Sequence, residues 1–260
     1  MKIAVLVKYV PEPTATWSFG SDHTLDRSAV EGRLSELDEY AVEQAVRLRE
    51  AGTADEVVHV SVGPPKAADA LRKALAIGGD SALHVVDDGM HGSDALATSL
   101  VLAAALELVR PDLVLCGMAS TDAEMSVVPS MVADRLGLPQ ATFAGAIDVQ
   151  GPSVTIRRDS DVATERVTVQ LPAVVSVTDQ AGESRYPAFR SIIAAKKKPV
   201  ETLTLTDLGV DPGRVGLAAA ATKVLDISPA PAREAGTVLV DEGDAATRLA
   251  DFLAGRGFIS

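Results

Sequence analysis

Residues 115–137 read LCGMASTDAEMSVVPSMVADRLG. An apolar run closes on Gly117, small and polar residues follow from Met118 to Ser126, and helical periodicity begins around Pro129. Strand, loop and helix in that order are the repeating unit of an open α/β sheet. In such sheets a ligand sits outside the carboxyl ends of the strands, where strand order reverses. A loop that opens a helix presents free N–H groups and the positive end of the helix dipole, which favour phosphate. Small side chains let a ligand approach the backbone closely. The same pattern also occurs as a plain connection, so both readings stand on this stretch alone.

The flanking sequence repeats the unit. KIAVLVKYV (2–10) reads as a strand, and a polar loop with Pro11, Pro13 and Gly20 follows. SELDEYAVEQAVRLREAG (35–52) reads as a helix, with Ser35 as a natural N-cap, acids in the first turn and Gly52 past the end. Its stripe of Leu37, Ala41, Ala45 and Leu48 keeps helical spacing. EVVHVSVG (56–63), ALHVVD (82–87) and DLVLCG (112–117) read as strands, KAADALRKALAIGG (66–79) and SDALATSLVLAAALELV (93–109) as helices, the second stopped by Pro111. Near-continuous apolar strands between helices predict a doubly wound, mostly parallel sheet.

After Pro139 the rhythm changes. FAGAIDVQ (143–150), SVTIRRD (153–159) and RVTVQL (166–171) have no helix between them and read as an antiparallel meander. AVVSVTD (173–179) is a further apolar strand, followed by a segment of low periodicity. Beyond it come the alternating runs TLTL (202–205) and TVLV (237–240), Pro229 and Pro231, and an amphipathic helix from Asp244 to Leu253. The apolar face of that helix (Ala246, Leu249, Phe252, Leu253) needs a partner. The expected division is an α/β body over 1–197 that includes the meander, and a C-terminal arm over 198–260 that packs on another chain.

Composition narrows the function classes. Of 260 residues 47% are apolar but only 3% aromatic, so the core is built from Val, Leu, Ile and Ala, as a buried parallel sheet requires. A net charge of −12 argues against a nucleic-acid or anionic-membrane footprint. One cysteine excludes an internal disulfide and fits a reducing compartment. Lys8 interrupts the first apolar run, no signal-peptide cleavage pattern follows, and the run Ala95–Val109 is too short to span a bilayer. The reading is a soluble, cytoplasmic protein.

Familiar catalytic signatures are missing: no glycine-rich dinucleotide fingerprint after a strand, no phosphate-loop Gly-Lys-Ser/Thr and no Gly-x-Ser-x-Gly elbow. His23, His59, His84 and His91 are scattered, and His59 and His84 alternate with apolar strand residues as structural histidines do. Cys116 ends a core strand and reads as a small buried hydrophobe. Asp122 and Glu124 read as solvated loop acids, with metal ligation the weaker alternative for want of a third ligand. Lys196–Lys198 reads as a solvated face unless the apolar residues before it belong to the same surface.

At these residues the chain resembles the β subunit of electron transfer flavoproteins, from end to end. The carrying stretches are AVLVKYVPEP (4–13), LDEYAVEQAVRLRE (37–50), VVHVSVGP (57–64), ALAIGGDSALHV (74–85), PDLVLCGMASTDAEMSVVPSMVADRLGLPQATF (111–143), LPAVVSVTDQAGESRYPAFRSIIAAKKKPVE (171–201) and DLGVD (207–211). The resemblance implies a heterodimer whose α subunit carries FAD while this chain carries AMP without a redox role. It implies electron transfer from flavin-dependent dehydrogenases such as acyl-CoA dehydrogenases to a downstream quinone oxidoreductase. Carried over by position, the AMP contacts are Leu6, Val7, Ser35, Leu37, Asp38, Val62, Gly117, Met118, Ala119, Ser120, Thr121, Asp122, Ala123, Ser126, Val127 and Val128. The dehydrogenase-docking segment is carried by Arg185, Tyr186, Phe189, Arg190, Ile192, Ile193, Lys196, Lys197 and Lys198, with Phe189 as the anchoring hydrophobe unless it is buried within this chain. Asp159 falls where relatives have an acid that steadies the partner's mobile flavin domain, with a solvated hairpin acid as the plain alternative.

The sequence departs from the family in two places. Val127 stands for the usual Gln and Pro129 for the usual Gly, which leaves phosphate to Ser126 and the N–H groups of Ser126–Val128. SELDEY replaces the common Asn-Pro-x-Asp/Cys-Glu. A bifurcating relative with a second FAD in this site, and a free-standing ATP-binding stress-type module, are the competing readings.

Overall fold

The computed structural model describes residues 1–231 and 235–259. Two compact units divide the chain, Met1–Leu225 and Asp226–Ser260. The first contains β1 (Lys2–Leu6), β2 (Tyr9–Pro11), β3 (Gly32–Leu34), α1 (Glu36–Glu50), β4 (Glu56–Val62), α2 (Ala67–Ile77), β5 (Ser81–Val85), α3 (Ala95–Val109), β6 (Leu113–Gly117) and α4 (Val128–Leu136). It continues with β7 (Gln140–Ala144), β8 (Ala146–Gln150), β9 (Ser153–Asp159), β10 (Thr164–Gln170), β11 (Ala173–Val177), α5 (Phe189–Ala195) and β12 (Val200–Leu203).

Seven strands form one parallel sheet in the order β12-β5-β4-β1-β6-β11-β7, and β10-β9-β8 form a separate antiparallel sheet. Side chains alternate across the main sheet because strand periodicity is two. Ile3, Val5, Leu113 and Leu115 join the core under α1 and α2, while Ala4, Leu6, Val114 and Cys116 join the core under α3 and α4. Both faces are covered, as a doubly wound sheet requires. From β1 the chain steps to β4 and β5 on one side, then returns through α3 to β6 on the other. Strand order therefore reverses between β1 and β6. No helix among the described residues is long and apolar enough to cross a membrane.

Several expected elements differ in detail. KIAVLVKYV is not one strand: it leaves the sheet after Leu6, and Tyr9–Pro11 pairs antiparallel with β3. FAGAIDVQ splits at Gly145, so β7 stays on the parallel sheet while β8 starts the meander, with Phe143 at φ +62° where the chain turns. Ser35 takes the N-cap position of α1, but its buried hydroxyl makes no capping bond. The low-periodicity segment contains α5. TVLV forms no strand, and its Val238 and Val240 are exposed.

The boundary between the two units falls after Leu225, whereas the expectation placed it after residue 197. The run around TLTL forms β12, which completes the sheet edge beside β5, with Ala82 N–H donating to Pro199 O at 3.0 Å and Val86 N–H to Leu203 O at 2.9 Å. Among its described residues the second unit contains one helix, α6 (Ala245–Gly255), none of whose residues is buried.

Candidate functional site

The carboxyl ends of β1 and β6 lie side by side, and Asp38 from the first turn of α1 ties them together. Its Oδ2 accepts from Lys8 N–H at 2.8 Å and its Oδ1 from Gly117 N–H at 3.1 Å. Burial pushes the Asp38 carboxyl up to about 7, against the pull of those two donors. Gly117 has no room for a side chain, since a Cβ there would lie 2.7 Å from Asp38 Oδ1 and 2.7 Å from the Leu37 carbonyl carbon. The glycine that closes the strand is therefore a packing requirement of the switch point.

The loop after β6 folds back on this junction through Asp122. Its carboxylate is 2% exposed, with Oδ1 at 2.8 Å from Lys8 Nζ and Oδ2 at 2.6 Å from Arg27 Nη2. Burial alone would raise its pKa, but the two cations outweigh burial and hold it down to about 2. Lys8 also donates to Ser120 Oγ at 3.2 Å, and its own pKa is lowered by burial despite Asp122. The expectation of a solvated acid at Asp122 is thus corrected: a salt-bridged core holds the loop, and a metal ion would have to displace both cations. The two cations that hold Asp122 come from outside the loop, which itself contains no basic residue. Cys116 is buried, and burial raises its thiol far above the usual range, in keeping with an inert hydrophobe.

Between Asp122 and α4 the loop makes tight turns, with Glu124 at φ +49° and Ser126 at φ +56°. The N–H groups of Ser126, Val127 and Val128 have no acceptor among the described residues. Pro129 occupies the first turn of α4, where its missing N–H is harmless. The loop faces a cleft of ≈ 1910 Å³ whose other walls come from 19–28, 63–66, 87–95 and 217–225. That space exceeds what a mononucleotide needs.

Twelve of the expected contacts line this cleft: Leu6, Val7, Asp38, Val62, Gly117, Met118, Ala119, Ser120, Asp122, Ala123, Ser126 and Val128. Ser35, Leu37, Thr121 and Val127 do not. The hydroxyls of Ser35 and Thr121 are buried in the wall without a hydrogen-bond partner. Lys8, Arg27 and the 19–28 loop were missed. Lys8 had a signal, as a cation inside an apolar strand, whereas nothing local distinguishes Arg27. On the far wall, Asp22 accepts from Thr24 and meets His91 Nε2 at 2.7 Å, and Asp94 caps α3 while accepting from Ala221 and Thr222 N–H.

The segment expected to dock a partner lies away from the cleft. Tyr186 is 98% and Phe189 77% exposed, so the alternative of a Phe189 buried in this chain does not hold. Ile192, Ile193, Lys196 and Lys197 are exposed on or beside α5, as is Arg190. Arg185 and Lys198 are instead engaged within the chain, Arg185 with Glu43 and Glu50 and Lys198 with Leu75 O. Asp159 closes β9 and holds Arg157 Nε at 2.9 Å and Thr164 Oγ1 at 2.7 Å, which lower its pKa.

Residues 22–208 match the family described as electron transfer flavoprotein domain. The chain is 43% identical over 266 residues to the electron transfer flavoprotein subunit beta of Mycobacterium leprae (strain TN), with 99% of each chain covered. It is 41% identical over 266 residues to the corresponding protein of Mycobacterium tuberculosis (strain ATCC 25618 / H37Rv), again with 99% of each covered. To that of Megasphaera elsdenii it is 32% identical over 251 residues, covering 94% of this chain and 93% of the other.

Proposed function

The chain belongs to the electron transfer flavoprotein family as a β subunit, and from that premise we propose that its switch-point cleft holds AMP as a structural ligand while the partner α subunit carries FAD. The observation that carries this reading is the loop between β6 and α4. Its small residues leave the backbone open, and the unpaired N–H groups of Ser126–Val128 lie at a helix start on the cleft that Lys8 and Arg27 also line. These groups fit a phosphate: amides and the helix dipole orient it. Leu6, Val7 and Val62 supply apolar surface for a base or ribose on the adjoining strand ends.

The exposed apolar side chains Tyr186, Phe189, Ile192 and Ile193, ringed by Arg190, Lys196 and Lys197, support docking of flavin-dependent dehydrogenases. Asp159 serves as an ion-pairing point for the α subunit from the tip of the β9–β10 hairpin. The C-terminal arm expected over 198–260 packs on that subunit beyond β12, with α6, which has no buried side chain, as its apolar contact. A cytoplasmic site of action completes the reading.

Nucleotide extraction tests the central claim. The purified αβ complex is denatured and its small molecules are separated by chromatography. One AMP and one FAD per complex are expected, and added AMP raises Tm by mass action without changing turnover. Two FAD and no AMP would overturn the assignment in favour of a bifurcating carrier.

A further inference from the structure

The exposed segment 186–194 contributes little to its own order. α5 has seven residues, too few for a stable isolated helix, and its N-cap makes no side-chain hydrogen bond. Both ends are nevertheless fastened by charged side chains from other helices. At the leading end Arg185 donates to Glu43 Oε2 through Nε at 2.8 Å and its backbone N–H at 3.2 Å, and to Oε1 through Nη2 at 3.0 Å. Arg185 also reaches Glu50 at 2.5 Å and 2.9 Å. Glu43, in the middle of α1, is 3% exposed and takes a further bond from Arg47 Nε at 2.8 Å. Arg47 and Gln44 complete the grip on the approach, donating to Glu183 O at 3.2 Å and Ala181 O at 2.7 Å. At the trailing end Arg72 of α2 donates to Ala195 O at 2.7 Å and Lys198 O at 2.8 Å.

We infer that Glu43 and Arg72 are positioning residues for the docking surface: they pin segment 186–194 at its two ends and present Phe189 already ordered to a dehydrogenase. A buried ion pair contributes little net stability, so the worth of placing a carboxylate at Glu43 lies in geometry. The apolar stripe of α1 already packs on the sheet. Freezing the segment before contact removes an ordering cost from association. The inference rests on the docking reading above.

The test uses the αβ complex and a purified acyl-CoA dehydrogenase. Glu43→Gln keeps the volume and removes the charge, so the Kd for the dehydrogenase should rise about tenfold, the equivalent of ordering one or two side chains. Hydrogen exchange of amides 186–194 should quicken in Glu43→Gln while the sheet amides keep their protection. In a Phe189→Ala background the same substitution should change Kd little, because the pre-ordered anchor is gone. Arg72→Gln should act alike from the other end and serves if Glu43→Gln does not fold. Unchanged exchange at 186–194 overturns the inference, as does additivity of Glu43→Gln and Phe189→Ala. A Phe189→Ala complex that binds as tightly as wild type refutes the docking reading instead, and the exchange result then still decides the pinning.

Discussion

Replacing Asp122 by Asn tests whether charge pairing holds the loop between β6 and α4. The carboxylate is almost fully enclosed and faces Lys8 on one oxygen and Arg27 on the other. Its pKa falls from 3.8 to about 2 on folding, because the two cations outweigh burial. At 1.36 kcal/mol per unit that difference is about 2.5 kcal/mol at pH 7. Lys8 and Arg27 are each about a third exposed, so solvent screening reduces the figure to roughly 1–2 kcal/mol. For a chain of this length that corresponds to a Tm lower by roughly 3–6 °C.

The pH dependence follows from the direction of the shift. A carboxyl with a depressed folded pKa stabilises the fold above its unfolded value and loses that contribution as pH falls through about 4 toward 2. Urea denaturation of wild type and Asp122→Asn should therefore differ at pH 7, differ by about half as much at pH 3, and converge only below about pH 2. The substitution also frees two cations for phosphate, so AMP should raise the variant's Tm more than that of wild type. A pH 7 difference below about 0.5 kcal/mol, the range of an ordinary surface change, would refute the reasoning. So would a difference undiminished at pH 3.

Gly117→Ala forces a Cβ against the Leu37 backbone, which does not yield as a flexible side chain does. It should cost about 1–3 kcal/mol by urea denaturation, and an unperturbed midpoint would contradict the packing described. His59 is fully buried, donates through Nε2 to Gly78 O at 2.7 Å and has its pKa lowered to about 4 by burial. Its contribution of about 3 kcal/mol is present above pH 6.5 and lost as pH falls toward 4. Asp38, raised to about 7, acts in the opposite sense, stabilising below pH 4 and losing that contribution as pH rises toward 7. Relative to wild type, His59→Gln should thus shift the stability slope from pH 4 to 6.5 downward and Asp38→Asn should shift it upward; shifts of the same sign would be inconsistent with these burials. Deleting residues 226–260 should abolish co-elution with the α subunit in size-exclusion chromatography, and a truncated chain that still co-elutes removes the arm.

Local pattern determined the parallel sheet, its helices and the change to an antiparallel meander, because a strand buried on two faces reads as a continuous apolar run, a helix buried on one face leaves a repeat of 3.6, and a strand buried on one face leaves a repeat of 2. The loop from Gly117 to Val128 was legible for a related reason: small residues between a strand and a helix narrow what the backbone can do there. Local pattern carried no strand order, and strand order assembled the site. Asp122 meets Lys8 and Arg27 across separations of 114 and 95 residues, and Asp38 binds Gly117 across 79. Only the return of the chain to the far side of β1 brings those groups within bonding distance. The same holds for α5, whose seven residues signal no helix by themselves and take that form where Arg185 and Arg72 fasten them to α1 and α2. The place of Val200–Leu203 was also set by the tertiary structure, since it reads locally as an isolated alternating run. The free edge of β5, with its unsatisfied backbone groups, draws that run into the sheet.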